Sequence, residues 1–389
     1  MTTVETTKRA LPSGAEFEAI ATRQVKLGDF GEPYFREGLD VLLNSLASDV
    51  IFTFIGRMML RRAILTALDQ RLRLVDLEKR EPERLRASIL PPLIVTGLPR
   101  SGTTYFHRLL AEDPRLYAPP LWHMLAPVLP KGTAGPRLHR MRLKAELAVF
   151  NRLAPSLDAK HVTRADEPEE CIFLTAPSFR SPIFWSLTPV TSYLEWYATC
   201  DRRQKYVEWA EALRLLQEQA PGRRLLLKAP DHLGALADLL AAVPDATIAV
   251  CLRDPASTVP SLDSLLLTVH AVTARNLDPR RMSDVNLLAL ATDARRYMAM
   301  RNRLASRIVE IPYAEIRADA PRAAASLYER AGIALDKETE RRFGDFAAAN
   351  RQHSHGVHRY RPEDFGATAA GIRAGFGDFA ELSAASAVA

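Results

Sequence analysis

Apolar residues recur along this chain at two spacings, and the change from one to the other divides it. In residues 1–90 the spacing is helical: Leu39, Leu42, Leu46 and Val50 fall on one face, and Ile64, Leu68 and Leu72 on another. This segment is expected to form a helical N-terminal extension packed on the rest of the chain. Beyond it come four short apolar runs, "PLIVTG", "RRLLLKAP", "ATIAVCLRDP" and "SRIVEIP". Long helical patterns such as "VEWAEALRLLQEQA" and "HLGALADLLAAVP" lie among them. Short strands alternating with helices predict an α/β fold with a parallel sheet covered on both faces. In such sheets ligands bind beyond the carboxyl ends of the strands. Arg100, Lys228 and Arg253 each follow a strand candidate at that end, so three cations are expected to converge on one edge.

The first run ends in "VTGLPRSGTT". Gly97, four residues, Gly102 and then Thr103 and Thr104 reproduce most of the nucleotide-binding frame G-x-x-x-x-G-K-[ST]. The lysine is missing, and Arg100 stands inside the loop. The glycines let backbone amides turn inward. The helix opened by the threonines offers free N–H groups and a positive dipole end. Arg100 adds a planar, permanent cation that can grip two oxygens. The pattern is that of an anion site, and of a P-loop-like sheet flanked by helices.

Composition narrows the classes. The 389 residues are 47% hydrophobic, enough for a sizeable core. The net charge is +6 without a long basic block, so no nucleic-acid partner is expected, while a protein holding several anionic groups fits. Cys171, Cys200 and Cys251 are few and not in C-x-x-C spacing, which points to a reducing compartment and to no zinc or other metal site. No run reaches the ~20 apolar residues of a membrane span. "VIFTFIGRMMLRRAIL" comes nearest, but Arg57, Arg61 and Arg62 interrupt it. It reads first as a packing stripe, and second as a membrane-surface helix. A soluble, cytoplasmic protein without an integral membrane segment is expected.

The sequence resembles the sulfotransferases that use 3′-phosphoadenosine 5′-phosphosulfate (PAPS), and in particular a broad bacterial branch of them. Their loop P-[KR]-[ST]-G-T-[TS] is matched by Pro99-Arg100-Ser101-Gly102-Thr103-Thr104. Their second motif, an Arg followed eight residues later by a Ser, is matched by Arg253 and Ser261 in "RDPASTVPS". "LKAPDHLGALADLL" and "HRYRPEDFG" are also similar to that branch, so the likeness runs over roughly residues 90–375. It implies a sulfotransferase domain over 91–389, in which Arg100, Ser101, Gly102, Thr103 and Thr104 hold the 5′-phosphate and sulfuryl group. Arg253 and Ser261 would hold the 3′-phosphate, and Tyr105 would stack on the adenine. A basic C-terminal loop containing Arg359 would close over the 3′-phosphate. Lys228 would sit near the transferred group.

The implied reaction is an in-line, metal-independent transfer to a hydroxyl or amine of a small, hydrophobic acceptor. Residues 120–220 concentrate Trp122, Trp185, Tyr193, Trp196, Tyr197, Tyr206 and Trp209, which read equally as an acceptor-pocket insertion and as ordinary core. For the general base, His123 and Glu170 rank first and His232 next. Asp166 stays open beside Glu170 in "RADEPEECIF". Relatives often carry a glutamate where His123 stands, although His can do the same work. A P-loop kinase and a non-catalytic anion- or lipid-binding protein are the rival readings.

Overall fold

Strand pleating assigns the core. In a computed structural model that describes residues 11–129, 134–153, 164–350 and 361–386, five strands form one parallel sheet: β1 (Leu93–Gly97), β2 (Leu116–Tyr117), β3 (Arg224–Lys228), β4 (Thr247–Leu252) and β5 (Ile308–Pro312). Their order is β2-β3-β1-β4-β5. Alternate residues point to opposite faces. Ile94, Leu225, Leu227, Ile248, Val250 and Leu252 enter one apolar core, while Leu93, Val95, Leu226, Ala249, Cys251 and Ile311 enter a second. The sheet is therefore covered on both faces, as its apolar runs require. Four strands coincide with the four apolar runs. β2 has two residues, too few to leave a period in the sequence.

Neighbouring strands β1 and β4 hand the chain to opposite faces. Helix Thr103–Leu110 follows β1 and buries Phe106, Leu109 and Leu110 in the second core. Helix Pro255–Thr273 follows β4 and buries Val259 and Leu266 in the first. A crevice opens where adjacent connections diverge in this way.

The N-terminal helices Gly14–Val25, Tyr34–Ser48 and Phe54–Arg80 share the first core. Leu39, Leu42, Leu46, Ile64, Leu68 and Leu72 are all buried there. Val50 is buried too, but lies beyond the helix end at Ser48. Two polar devices fasten this layer. Arg71 donates to the carbonyls of Phe30 (2.7 Å) and Glu32 (2.8 Å) and pairs with Glu208 (2.8 Å). Thr53 caps the third helix, accepting from the Gly56 amide (2.9 Å) and donating to the Val272 carbonyl (2.6 Å). Gly56 meets the backbone of Thr273 so closely that a Cβ would collide with it. No helix among the described residues is long and apolar enough to cross a membrane.

Candidate active site

The loop after β1 has a demanding backbone. Gly97 (φ 145°), Arg100 (φ 68°) and Gly102 (φ 90°) all take positive φ. A Cβ on Gly97 would strike the Cys251 carbonyl oxygen, and one on Gly102 would come 2.9 Å from the Tyr313 ring. Glycine is thus required at both positions by space as well as by conformation. Arg100 adopts the left-handed region without that freedom, a cost of roughly 1–3 kcal/mol that the surrounding contacts sustain. The Ser101 amide closes the turn on the Leu98 carbonyl (3.2 Å). The helix that follows makes its first backbone bond from Phe106 to Gly102 (3.0 Å), so the amides of Thr103, Thr104 and Tyr105 have no acceptor within the helix. Loop and helix end together form an anion cradle.

Two further strand ends bring cations to this cradle, and a third brings an aromatic ring. Arg253, just past β4, donates to the Arg100 carbonyl (2.7 Å) and lies 4.0 Å over the Tyr313 ring. Ser261, one face further along the next helix, accepts from Arg100 Nε (3.1 Å). Lys228, at the end of β3, is buried and donates to Thr104 Oγ1 (3.2 Å) and Glu170 Oε1 (2.6 Å). Tyr313, directly after β5, wedges between Gly102 and Arg253. Sequence reasoning missed it; the available signal was an aromatic immediately behind the strand-like run "SRIVEIP".

The acidic cluster is split by its partners. Asp166 is held by Arg140 and by Lys144 (2.6 Å), and Glu167 by Arg108 (2.8 Å) and Arg164 (3.1 Å). Glu169 turns back to accept from the Glu170 amide (2.9 Å). Glu170 faces a cavity of about 1290 Å³ whose wall also includes Arg100, Gly102, Thr103, Thr104, Tyr105 and Arg253. Away from the loop the cavity becomes apolar, with Leu121, Met124, Phe173, Trp185 and Leu266 on its walls. Of the aromatics singled out between 120 and 220, Trp185 and Tyr197 border it, whereas Tyr206 and Trp209 are core.

Two candidate bases lie elsewhere. His123 is buried, stacked on Trp122 (4.9 Å between centroids), and its Nδ1 meets the Tyr117 hydroxyl (3.1 Å). Burial and the neighbouring His139 push its pKa down to about 4. It is not on the cavity wall. His232 is also fully buried, with Nδ1 against the Tyr206 hydroxyl (2.9 Å) and Nε2 against Cys171 Sγ (3.0 Å). Burial pushes its pKa down to about 3. Both of its ring nitrogens are engaged in the interior, away from the cradle. Tyr105 is at the wall, tilted against Phe346 (5.6 Å). Arg359 and the histidine-rich stretch around it lie outside the described residues. Among the described residues no group of three or more His, Cys, Asp or Glu is placed to hold a metal ion.

The sulfotransferase family model matches residues 91–337. The fold is similar to the crystal structure of sulfotransferase STF1 from Mycobacterium tuberculosis, with a TM-score of 0.81 and 27% identity over 95% of this chain and 100% of that one. It is equally similar to sulfotransferase STF9 from Mycobacterium avium, with a TM-score of 0.81 and 25% identity over 96% of this chain and 97% of that one. No curated protein sequence matches the chain significantly. The matched region spans well over half of the chain and contains the loop, Glu170, Lys228, Arg253 and Tyr313. Built on a parallel sheet with an anion cradle at its carboxyl edge, this chain belongs to the sulfotransferase family, whose chemistry is sulfuryl transfer.

Proposed function

We propose that the protein transfers a sulfuryl group from PAPS to a hydroxyl of a small, hydrophobic acceptor. The observation that carries this reading is the meeting of Arg253 and Ser261 with the loop through Arg100. It offers a second anion position beside the first, which suits a nucleotide with a separate 3′-phosphate. The donor supplies an activated sulfuryl group. Arg100, the loop amides, Thr103 and Thr104 hold its 5′ end, and Arg253 with Ser261 its 3′-phosphate. A cleft of about 430 Å³ bordered by Tyr105, Tyr313, Ile316 and Pro321 accommodates the adenine. Arg100, Arg253 and Lys228 supply the positive charge, and no metal enters the proposal.

Glu170 is the general base in this reading, because it is the acid that both touches Lys228 and faces the cavity. It takes the proton of the acceptor hydroxyl. The acceptor oxygen then forms a new S–O bond while the S–O bond to the 5′-phosphate breaks. A protonated Glu170 no longer neutralises Lys228, whose ammonium beside Thr104 is then free to stabilise the charge left on the phosphate. The apolar walls contributed by residues 120–220 select a hydrophobic acceptor, and the free thiols suit the cytoplasm.

The test is nucleotide binding. 3′-Phosphoadenosine 5′-phosphate should raise the melting temperature in the absence of magnesium, and ATP much less. Arg253→Ala should weaken that nucleotide while leaving adenosine 5′-phosphosulfate little changed. Equal stabilisation by ATP, or a strict magnesium requirement, would favour phosphoryl transfer instead.

A further inference from the structure

The cavity's far end opens between two helices, Phe54–Arg80 and Ala134–Leu153. The side chains at its mouth are apolar yet exposed. Phe54 (75% exposed) and Met58 lie one turn apart on the first helix, and both border the cavity. On the second, Leu138, Met141, Ala145 and Val149 recur at i, i+3, i+7 and i+11. They form an outer stripe that is exposed (Met141 66%). The opposite stripe of that helix, Leu143 and Leu147, is the one that packs, against Leu121, Trp122 and Phe173. The second helix therefore has two apolar stripes and buries one. Contiguous exposed apolar surface of this kind marks an interaction face.

The charge around this mouth is one-sided. Residues 54–68 contain three arginines and no acid; residues 134–153 contain five Lys or Arg and one acid, Glu146. The surplus of seven on these two segments exceeds the +6 of the whole chain. The acids that face them are Glu146, shared by Arg62 (3.5 Å) and Arg142 (2.9 Å), Asp166, shared by Arg140 and Lys144, and Asp69, one residue past the first segment, which feels the charge of Arg62. Those three carboxylates leave most of the eight cations uncompensated. A cationic collar around an exposed apolar stripe is the signature of a surface that lies in the interface of an anionic bilayer. A nucleic acid would match the collar but would leave Phe54, Met58 and Val149 in water.

We infer that this face docks on an anionic lipid bilayer, with Phe54, Met58, Met141 and Val149 in the acyl boundary and the arginines at headgroup level. The chamber mouth then opens onto lipid. That a lipid-borne acceptor enters there rests on the sulfuryl-transfer reading; the docking itself does not.

The probe is co-sedimentation with vesicles of phosphatidylcholine containing about one third phosphatidylglycerol, against vesicles of phosphatidylcholine alone. The protein should pellet with the anionic vesicles and be released by salt. The double variant F54D/M58D, which changes exposed positions, should bind roughly tenfold or more weakly. It should keep the melting shift produced by 3′-phosphoadenosine 5′-phosphate, which shows that it is folded. Protein that stays in the supernatant at low salt overturns the inference. So does undiminished pelleting of the variant, which would place the contact elsewhere. A dimer by light scattering that the variant converts to monomer would assign the face to a second copy of the chain instead. Vesicle binding without any nucleotide shift would overturn the proposed reaction and leave the docking intact.

Discussion

Among the described residues two lysines are buried beside an acid, and they are placed for opposite ends. Lys228 is 1% exposed and meets Glu170, whose side chain is 20% exposed and faces the cavity. Lys205 is 0% exposed and meets Asp231, which also borders the cavity but whose side chain is only 3% exposed. The second pair is further enclosed: the Tyr197 hydroxyl bonds both Asp231 and Lys205 (2.8 Å), and Arg202 lies 4.2 Å over the Tyr197 ring while pairing with Asp293 (3.0 Å). Burial pushes the Lys205 pKa down against the pull of Asp231. Burial would raise the Asp231 carboxyl, yet Lys205 and Arg202 together hold it below its ordinary value. Charge pairing alone therefore says little about function. What differs is how far the acid is open to the cavity, and so how readily it exchanges its contact for a ligand.

The largest expected effect tests that contrast directly. Lys205→Met leaves the Asp231 carboxylate without its nearest cation and should lower unfolding free energy by about 3 kcal/mol. The low end of the usual range applies because Arg202 remains 3.9 Å from Asp231. Lys228→Met should instead keep the melting temperature within a few degrees while cutting turnover about a hundredfold. Denaturant titration beside single-turnover assays separates the two. Equal stability losses in both variants would erase the distinction.

Glu170→Gln sharpens it. The amide can still accept a bond from Lys228 but cannot take a proton, so turnover should fall about a hundredfold or more with nucleotide binding preserved. Full turnover in this variant would remove Glu170 from the mechanism.

The smallest effect is read through pH at His232, which adjoins both regions: it follows Asp231 in the chain and touches Cys171, the residue after Glu170. Its folded pKa of about 3 lies below the unfolded value of about 6.5. Between those limits the unfolded chain binds a proton that the folded chain does not, so stability falls as pH drops. This one residue should account for about 1.4 kcal/mol per pH unit across that window. The stability advantage of the wild type over His232→Gln should therefore shrink from pH 6.5 to 4.5. A constant gap would show that His232 is protonated in the fold.

The loop edge was legible because its parts are contiguous. Gly97, Arg100 and Gly102 sit within one loop, and Arg253 and Ser261 within one turn-and-helix, so spacing carries the geometry. The cavity beyond it was not, because its walls come from segments far apart in the chain. Asp166 and Glu170 are four residues apart and alike in sequence; only Arg140 and Lys144 on one side, and Lys228 on the other, tell them apart. His123 reads as an available base until Tyr117 and Trp122 are seen to enclose it. The exposed stripe on Ala134–Leu153 has the same periodicity as a buried one, and periodicity does not say which neighbour arrives.

Arg100 carries one more consequence. A glycine there would adopt φ 68° without strain, a gain that offsets the loss of the guanidinium's contacts, among them the charged bond to Ser261 (3.1 Å), worth about 1.5–3 kcal/mol. Arg100→Gly should accordingly melt close to the wild type while holding the nucleotide more weakly. Selection for heat resistance alone would exert little pull to keep this arginine, so its retention through rounds of thermal screening would itself report that the screen still selects for activity.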